Sequence, residues 1–193
     1  MTLRIPLSIA LIGALAVAEL WAAPDQPPEF PSAGTIQVAF PPWDDAEALV
    51  VAAVADARRQ VFVQAFSFTS DAVAGALIAA KRRGVDVRIT ADREQTFGGE
   101  RTRIPDLAAA GIPVWLEVRY TAAHSKVMII DPGSPDSKEP VLITGSYNWT
   151  WSAQHRNAEN LLIVRGNRAL TQAYLRNWER RQRDSLKYDG SAR

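Results

Sequence analysis

Residues 124–131 read HSKVMIID, and residues 141–164 read VLITGSYNWTWSAQHRNAENLLIV. Each holds an apolar run of strand length: Val127–Ile130, Val141–Thr144 and Leu161–Val164. Short runs this rich in β-branched residues predict buried strands. Polar residues cluster just before or just after these runs. If the head of the first stretch is extended, side chains two apart share a face. His124 and Lys126 then aim at one point, and Ser125 points away. The same spacing puts Ser146 and Asn148 together, and Glu159 stands immediately before the third run.

These residue types fit cleavage of a phosphodiester. That reaction needs a nucleophile, cations and donors to offset the phosphate charge, and an acid for the leaving oxygen. An imidazole titrating near pH ~6.5 can be nucleophile or acid. Lys126 supplies a cation, and Ser146 and Asn148 supply short donors. A carboxylate such as Glu159 can hold a histidine's second ring nitrogen and fix its tautomer. Each residue alone has a plainer reading: a core histidine, a solvated lysine, or a turn aspartate before Pro132-Gly133. Their order and spacing carry the catalytic reading.

The pattern His124-x-Lys126-x4-Asp131, followed by Gly145-Ser146-x-Asn148 and Asn157-x-Glu159-Asn160, resembles the signature of the phospholipase D superfamily. Within it, the chain is most similar to the small bacterial endonucleases that carry one motif. The stretch QAFSFTSDAVAGALIAAKRRGVDVRI, residues 64–89, is similar to the same nucleases. The resemblance runs from about Ile36 to Tyr188. It implies that His124 attacks phosphorus to give a phosphohistidine, that Lys126, Ser146 and Asn148 bind phosphate, and that Glu159 orients His124. Asp131 enters as a catalytic-motif member with a structural or tuning role. The interval from Asp131 to Gly145 is longer than the family pattern and reads as an extended hairpin loop.

One imidazole cannot be nucleophile and leaving-group acid in the same in-line step. The only other histidine, His155, lacks the His-x-Lys frame and reads as an exposed loop or helix residue. A homodimer with its two-fold axis at the site supplies a second His124, because an isologous interface brings identical residues together. The resembled single-motif nucleases are built in that way. The resemblance implies no metal or cofactor, and a chain with no cysteine and two histidines is poorly supplied for zinc.

The chain begins with the layout of a secretory signal peptide. Arg4 precedes a nearly unbroken apolar stretch from Ile5 to Ala18, ending in Ala16-Val17-Ala18. Cleavage after Ala18 fits the small-x-small rule, with Ala22 or Ala23 as alternatives and an uncleaved anchor as the competing reading. Residues 19–33, rich in proline, read as a linker, and residues 34–190 as one catalytic domain. A secreted or periplasmic location follows, with membrane contact only through the leader. The whole chain carries a net charge of +1, and loss of residues 1–18 removes only Arg4. Polyanion binding must therefore come from a local patch.

Upstream of the motif, strands are expected at 35–40, 61–68, 85–90 and 113–118. Helices are expected at about 44–59, 72–83 and 104–110. This alternation predicts an α/β fold: a mixed, largely parallel sheet flanked by helices, a phospholipase D-like α/β/α sandwich. The segment from Asp92 to Arg103 reads as a loop at the carboxyl end of a strand, where open α/β sheets bind ligands. Its Arg93, Arg101 and Arg103 are either ordinary surface residues or nucleic-acid contacts. A long helix is expected from Asn167 to Tyr188. Trp149 and Trp151 read mainly as packing residues.

Three functions fit. The first is a phosphodiesterase cutting DNA or RNA with little sequence preference. The second is a phospholipase D acting on a lipid headgroup, for which Phe97, Trp149 and Trp151 offer an aromatic rim. The third is a nucleic-acid-binding protein that kept the fold without catalysis. Intact His124 and Lys126 argue against the last. A serine hydrolase centred on Ser146 is disfavoured, because Thr-Gly-Ser-Tyr-Asn is not the Gly-x-Ser-x-Gly elbow.

Overall fold

A computed structural model describes residues 26–99, 101–133 and 139–190. The leader assigned to residues 1–18 and the centre of the loop after Asp131 lie outside these. Among the described residues no helix is long and apolar enough to cross a membrane.

The body is one eight-stranded sheet with helices on both faces. Its N-terminal half is built from parallel crossovers. Strand β2 (Gln60–Ala65) leads through α2 (Asp71–Arg82) to β3 (Asp86–Asp92). A short α3 (Arg93–Gly98) and α4 (Ile104–Ala109) then lead to β4 (Val114–Glu117). β2 and β3 pair in parallel with Val63 opposite Ile89, and β3 pairs in parallel with β4. Ser70 caps α2 by accepting the Val73 amide at 3.0 Å. Gly84, at φ +89°, takes the left-handed turn that ends the helix.

The C-terminal half is antiparallel. β5 (Val127–Ile130), β6 (Val141–Gly145) and β7 (Leu161–Arg165) form a meander. β5 joins β2 antiparallel with Met128 opposite Val63. β1 (Thr35–Ala39) adds to β7 at one edge, and β8 (Leu186–Lys187) adds to β4 at the other. The strand order is β1-β7-β6-β5-β2-β3-β4-β8. The sheet is mixed, as the sequence suggests, but parallel pairing is confined to β2-β3-β4. Helical crossovers return the chain in the same direction only from β2 to β3 to β4; β5-β6-β7 run as an up-and-down meander, and β5, β1 and β8 join their neighbours antiparallel.

Strand alternation divides the core into two layers. Val61, Val63, Met128 and Ile130 pack toward α1 (Ala46–Ala55) and α2, where Val50, Val54, Val73 and Leu77 are fully buried. Phe62, Val127, Ile129 and Trp178 form the opposite layer, beneath Leu170, Tyr174 and Leu175 of α6 (Arg168–Arg183). Trp178 seals it by donating its indole N–H to the Val63 carbonyl at 2.9 Å.

Four local expectations are corrected. Helix α1 begins at Ala46 behind an Asp45 cap rather than at residue 44, where Asp44 accepts the Phe40 amide. It stops at Ala55, not near Arg59, because the amides of Arg58, Arg59 and Gln60 turn to Asp131. The segment after Asp92 is not wholly loop: Asp92 caps α3 by accepting the Gln95 amide at 2.8 Å. Helix α6 ends at Arg183, and the chain turns so that β8 satisfies the outer edge of β4.

Candidate active site

β5, β6 and β7 are neighbours, and their register gathers the polar residues at one end of the sheet. Val127 lies opposite Thr144, and Gly145 lies opposite Leu161. His124 and Lys126 therefore stand beside Gly145-Ser146, which stands beside Glu159-Asn160. Gly145 is required by this close approach. At φ +150°, a Cβ there would collide with the Asn160 carbonyl oxygen.

The extended reading of the first stretch holds in detail. Lys126 Nζ lies 2.8 Å from His124 Nδ1 and donates to the His124 carbonyl at 2.6 Å. Ser125 faces the other way, toward α6, where its hydroxyl accepts from Arg181 at 2.6 Å. Lys126 is only 4 % exposed. Burial lowers its pKa to about 8, against the pull of the nearby Glu159 carboxylate, which favours the charged form.

Just past the end of β6 the alternation is equally clear. Tyr147 and Trp149 are fully buried, and Ser146 and Asn148 take the other direction. Trp149 anchors the segment by donating to the Gln64 carbonyl, while its own carbonyl accepts the amides of Thr69 and Ser70. Ser146 Oγ donates to Glu159 Oε2 at 2.5 Å and accepts from the Asn160 amide at 3.0 Å. Asn157 donates to the second Glu159 oxygen at 2.9 Å. The Glu159 carboxylate is thus held by Ser146 and Asn157 within one chain, and His124 Nδ1 is held by Lys126. Asn148 Oδ1 is buried with no hydrogen-bond partner. As an acceptor this oxygen takes a donor, so a phosphate oxygen would be met by the Asn148 amide N–H groups instead.

Asp131 is not part of this cluster. It follows β5 at the far end, roughly 16 Å of extended chain from Lys126. Its carboxylate accepts the amides of Arg58, Arg59 and Gln60 at 2.8–2.9 Å. It is buried, and its backbone takes the left-handed φ of +49°. These contacts make it a splint for the turn into β2, the structural one of the two roles that the resemblance implies.

The arginines separate. Arg101 and Arg103 line one groove together with Trp151 and Arg156, whereas Arg93, at the start of α3, does not. Arg103 is engaged by Asp71 and Asp106. Trp149 is core, as expected, but Trp151 is half exposed. His155 ends the short α5 (Trp151–His155) with its ring 4.7 Å from that of Trp151.

Three supporting residues are not legible in the motif. Phe66, just beyond β2, lies with its ring 4.5 Å from that of His124 and 4.8 Å from Lys126 Nζ, which forms a cation–π contact. Buried Asp92 accepts the Ala123 amide at 2.7 Å and so pins the residue before His124. Arg181 joins Ser125 to buried Glu117, donating to its carboxylate at 2.6 Å. Burial raises the Glu117 pKa, with Arg181 opposing that shift.

The comparisons agree with this architecture. A family model described as "Cardiolipin synthase, PLD-like domain" matches residues 50–181. A protein named phospholipase D from Rickettsia prowazekii is 34% identical over 157 residues, covering 80% of this chain and 71% of that one. A mitochondrial cardiolipin hydrolase from Xenopus tropicalis is 29% identical over 152 residues, covering 78% and 68%. Among solved structures, the phospholipase D family member Nuc from Salmonella typhimurium superposes with a TM-score of 0.73 at 31% identity, covering 81% of this chain and 99% of that one. The chain belongs to the phospholipase D superfamily of phosphodiesterases.

Proposed function

We propose that this phosphodiesterase is a metal-independent endonuclease acting on DNA or RNA through a phosphohistidine at His124. The observation that carries the reading is the pairing of His124 with a buried Lys126 beside the Ser146–Glu159 cluster. A phosphate entering there meets an imidazole, an ammonium and short donors, which is what an in-line displacement requires. Likeness to Nuc over nearly that protein's whole length supports nucleic acid as substrate.

The site takes a second His124 from a homodimer, so that one imidazole attacks while the other protonates the leaving oxygen. Attack breaks the P–O bond to one strand end and forms an N–P bond. Water then cleaves that bond, with the proton carried by the second ring. Glu159 orients the attacking ring, exchanging its present Ser146 contact for the histidine. The signal-like start supports action outside the cytoplasm.

A phospholipid headgroup is the second reading. Relatives named phospholipase D and cardiolipin hydrolase favour it, as do the exposed aromatic residues Trp43 and Phe40, whose turn contacts the Glu159 amide through Pro41. Cleavage of plasmid, single-stranded DNA, RNA and phosphatidylcholine vesicles in excess EDTA, by wild type and His124→Ala side by side, separates the two. Nucleic-acid cleavage lost in the variant supports the first reading. Hydrolysis of lipid alone moves the function to the second, and restoration by metal after chelation overturns the metal-free mechanism.

A further inference from the structure

Next to the phosphate site is a groove of about 710 Å³ lined by Thr69, Asp71, Arg101, Arg103, Trp151 and Arg156. Its volume is in the range that holds a small organic group. It is tied to the site through the chain: Trp151 is three residues beyond Asn148, Arg156 precedes the Asn157 that holds Glu159, and the Thr69 amide is bonded to the Trp149 carbonyl at 2.9 Å. Three guanidinium groups line it with one carboxylate, Asp71; Arg103 is engaged by that carboxylate and by Asp106, so Arg101 and Arg156 carry the excess charge. In a chain with a net charge of only +1, this is a local concentration of positive charge.

The aromatic residue gives the groove a second property. Trp151 is 50 % exposed, with indole surface open to the groove. The ring is nevertheless held in place. The Arg156 guanidinium lies 5.0 Å from its centroid, and the His155 ring lies 4.7 Å away. A positioned indole among arginines fits an unpaired nucleotide, whose base stacks while its phosphates meet the cations.

We propose that Trp151, with Arg101 and Arg156, forms a base-stacking subsite that makes single-stranded nucleic acid the favoured substrate. The proposal rests on the nuclease reading for its consequence in catalysis, but binding tests it separately. A base must leave its pair to present a face to the indole. A duplex offers the groove only its backbone and base edges.

The test compares wild type, Trp151→Ala, Trp151→Phe and Arg156→Ala. Binding of a fluorescein-labelled thymidine oligomer, and of a blunt duplex, is measured by anisotropy. Turnover of bis(p-nitrophenyl) phosphate reports the phosphate chemistry without a base to stack. Expected results are a loss of about tenfold in oligomer affinity for Trp151→Ala, the scale of one base–aromatic stack. Trp151→Phe retains most of the affinity, duplex binding changes less than about twofold, and turnover of the small diester is preserved. Unchanged oligomer binding overturns the subsite while leaving the nuclease reading intact. Equal losses on the strand, the duplex and the small diester also overturn it, by showing a structural role. If wild type cleaves no nucleic acid yet binds the oligomer through Trp151, the subsite stands and the nuclease reading falls. If wild type binds no oligomer, the subsite falls.

Discussion

The ammonium of Lys126 lies 2.8 Å from Nδ1 of His124. A protonated lysine can only donate, so Nδ1 accepts and the proton of a neutral ring resides on Nε2. Both roles at phosphorus require this contact to break: attack through Nε2 needs Nδ1 to give a hydrogen to a carboxylate, and a protonating imidazolium carries a proton on both nitrogens. The lysine contact therefore belongs to the free site, and Lys126 turns to a phosphate oxygen when substrate enters.

The depressed Lys126 pKa sets a pH limit. The group is mostly charged at pH 7 and loses its proton as pH rises through about 8. If the charged form binds phosphate, kcat/KM for bis(p-nitrophenyl) phosphate falls about tenfold per pH unit above that value. Lys126→Arg keeps its charge throughout and removes this alkaline limb, at lower absolute activity because the fork does not match the ammonium. A limb unchanged in the arginine variant assigns it to another group.

Asp131 contributes to stability rather than to chemistry. Asp131→Ala leaves three part-buried amides without this acceptor and places alanine at a left-handed φ. The expected cost is about 3 kcal/mol or more, read from urea unfolding. Turnover per folded molecule stays within about twofold of wild type, since Asp131 meets no reacting group. A loss of several hundredfold in a variant shown to be folded would return it to the catalytic set.

What the sequence made legible follows from the range of each signal. The period-2 arithmetic of His-x-Lys and Ser-x-Asn is local, and the sheet keeps it: Ser125 does point to α6 while its neighbours face the site. Glu159 joins the site through strand neighbours that the apolar runs announced. Phe66, Asp92 and Arg181 reach the site across strand and layer contacts of 30 residues or more, for which one chain carries no periodic mark. The structural role of Asp131 could not be given partners from the sequence, because the amides it accepts lie 71–73 residues earlier. The parallel content was overestimated because alternating strands and helices were extended past β4, where hairpins take over.

Arg181 acts on the site through Ser125, and its pairing with Glu117 is nearly solvent-free, with the side chains 12 % and 3 % exposed. Arg181→Met strands that carboxylate and is expected to cost about 3–5 kcal/mol at neutral pH. Glu117 already has a raised folded pKa, and losing Arg181 raises it further. A carboxyl raised on folding is best tolerated below its unfolded pKa near 4.5, and stability falls as pH rises toward the folded value. Urea midpoints for Arg181→Met should therefore drop more steeply than wild type above pH 4.5. The double variant Arg181→Met/Glu117→Leu should regain much of the loss. A midpoint that tracks wild type at every pH removes the buried pair from the account.

The requirement for two copies of His124 is testable without solving a complex. Wild type and His124→Ala, differently tagged, are unfolded together and refolded in equal amounts, so that subunits mix at random. If each catalytic centre takes its attacking and its protonating imidazole from different chains, a mixed dimer has only one of the two. Only the pairs of two wild-type chains turn over, about a quarter of all dimers, since an isologous interface pairs chains without preference. If each chain works alone, about half of the activity remains. The two results are well separated, and tag-dependent capture verifies that mixed dimers formed. Arg103→Ala refolded with wild type is the control. It lies outside the histidine pair and should leave the activity near the mean of the two parents. A remaining activity of one half, with mixed dimers present, would mean that one chain supplies both proton transfers, and His155 would be the next residue to replace.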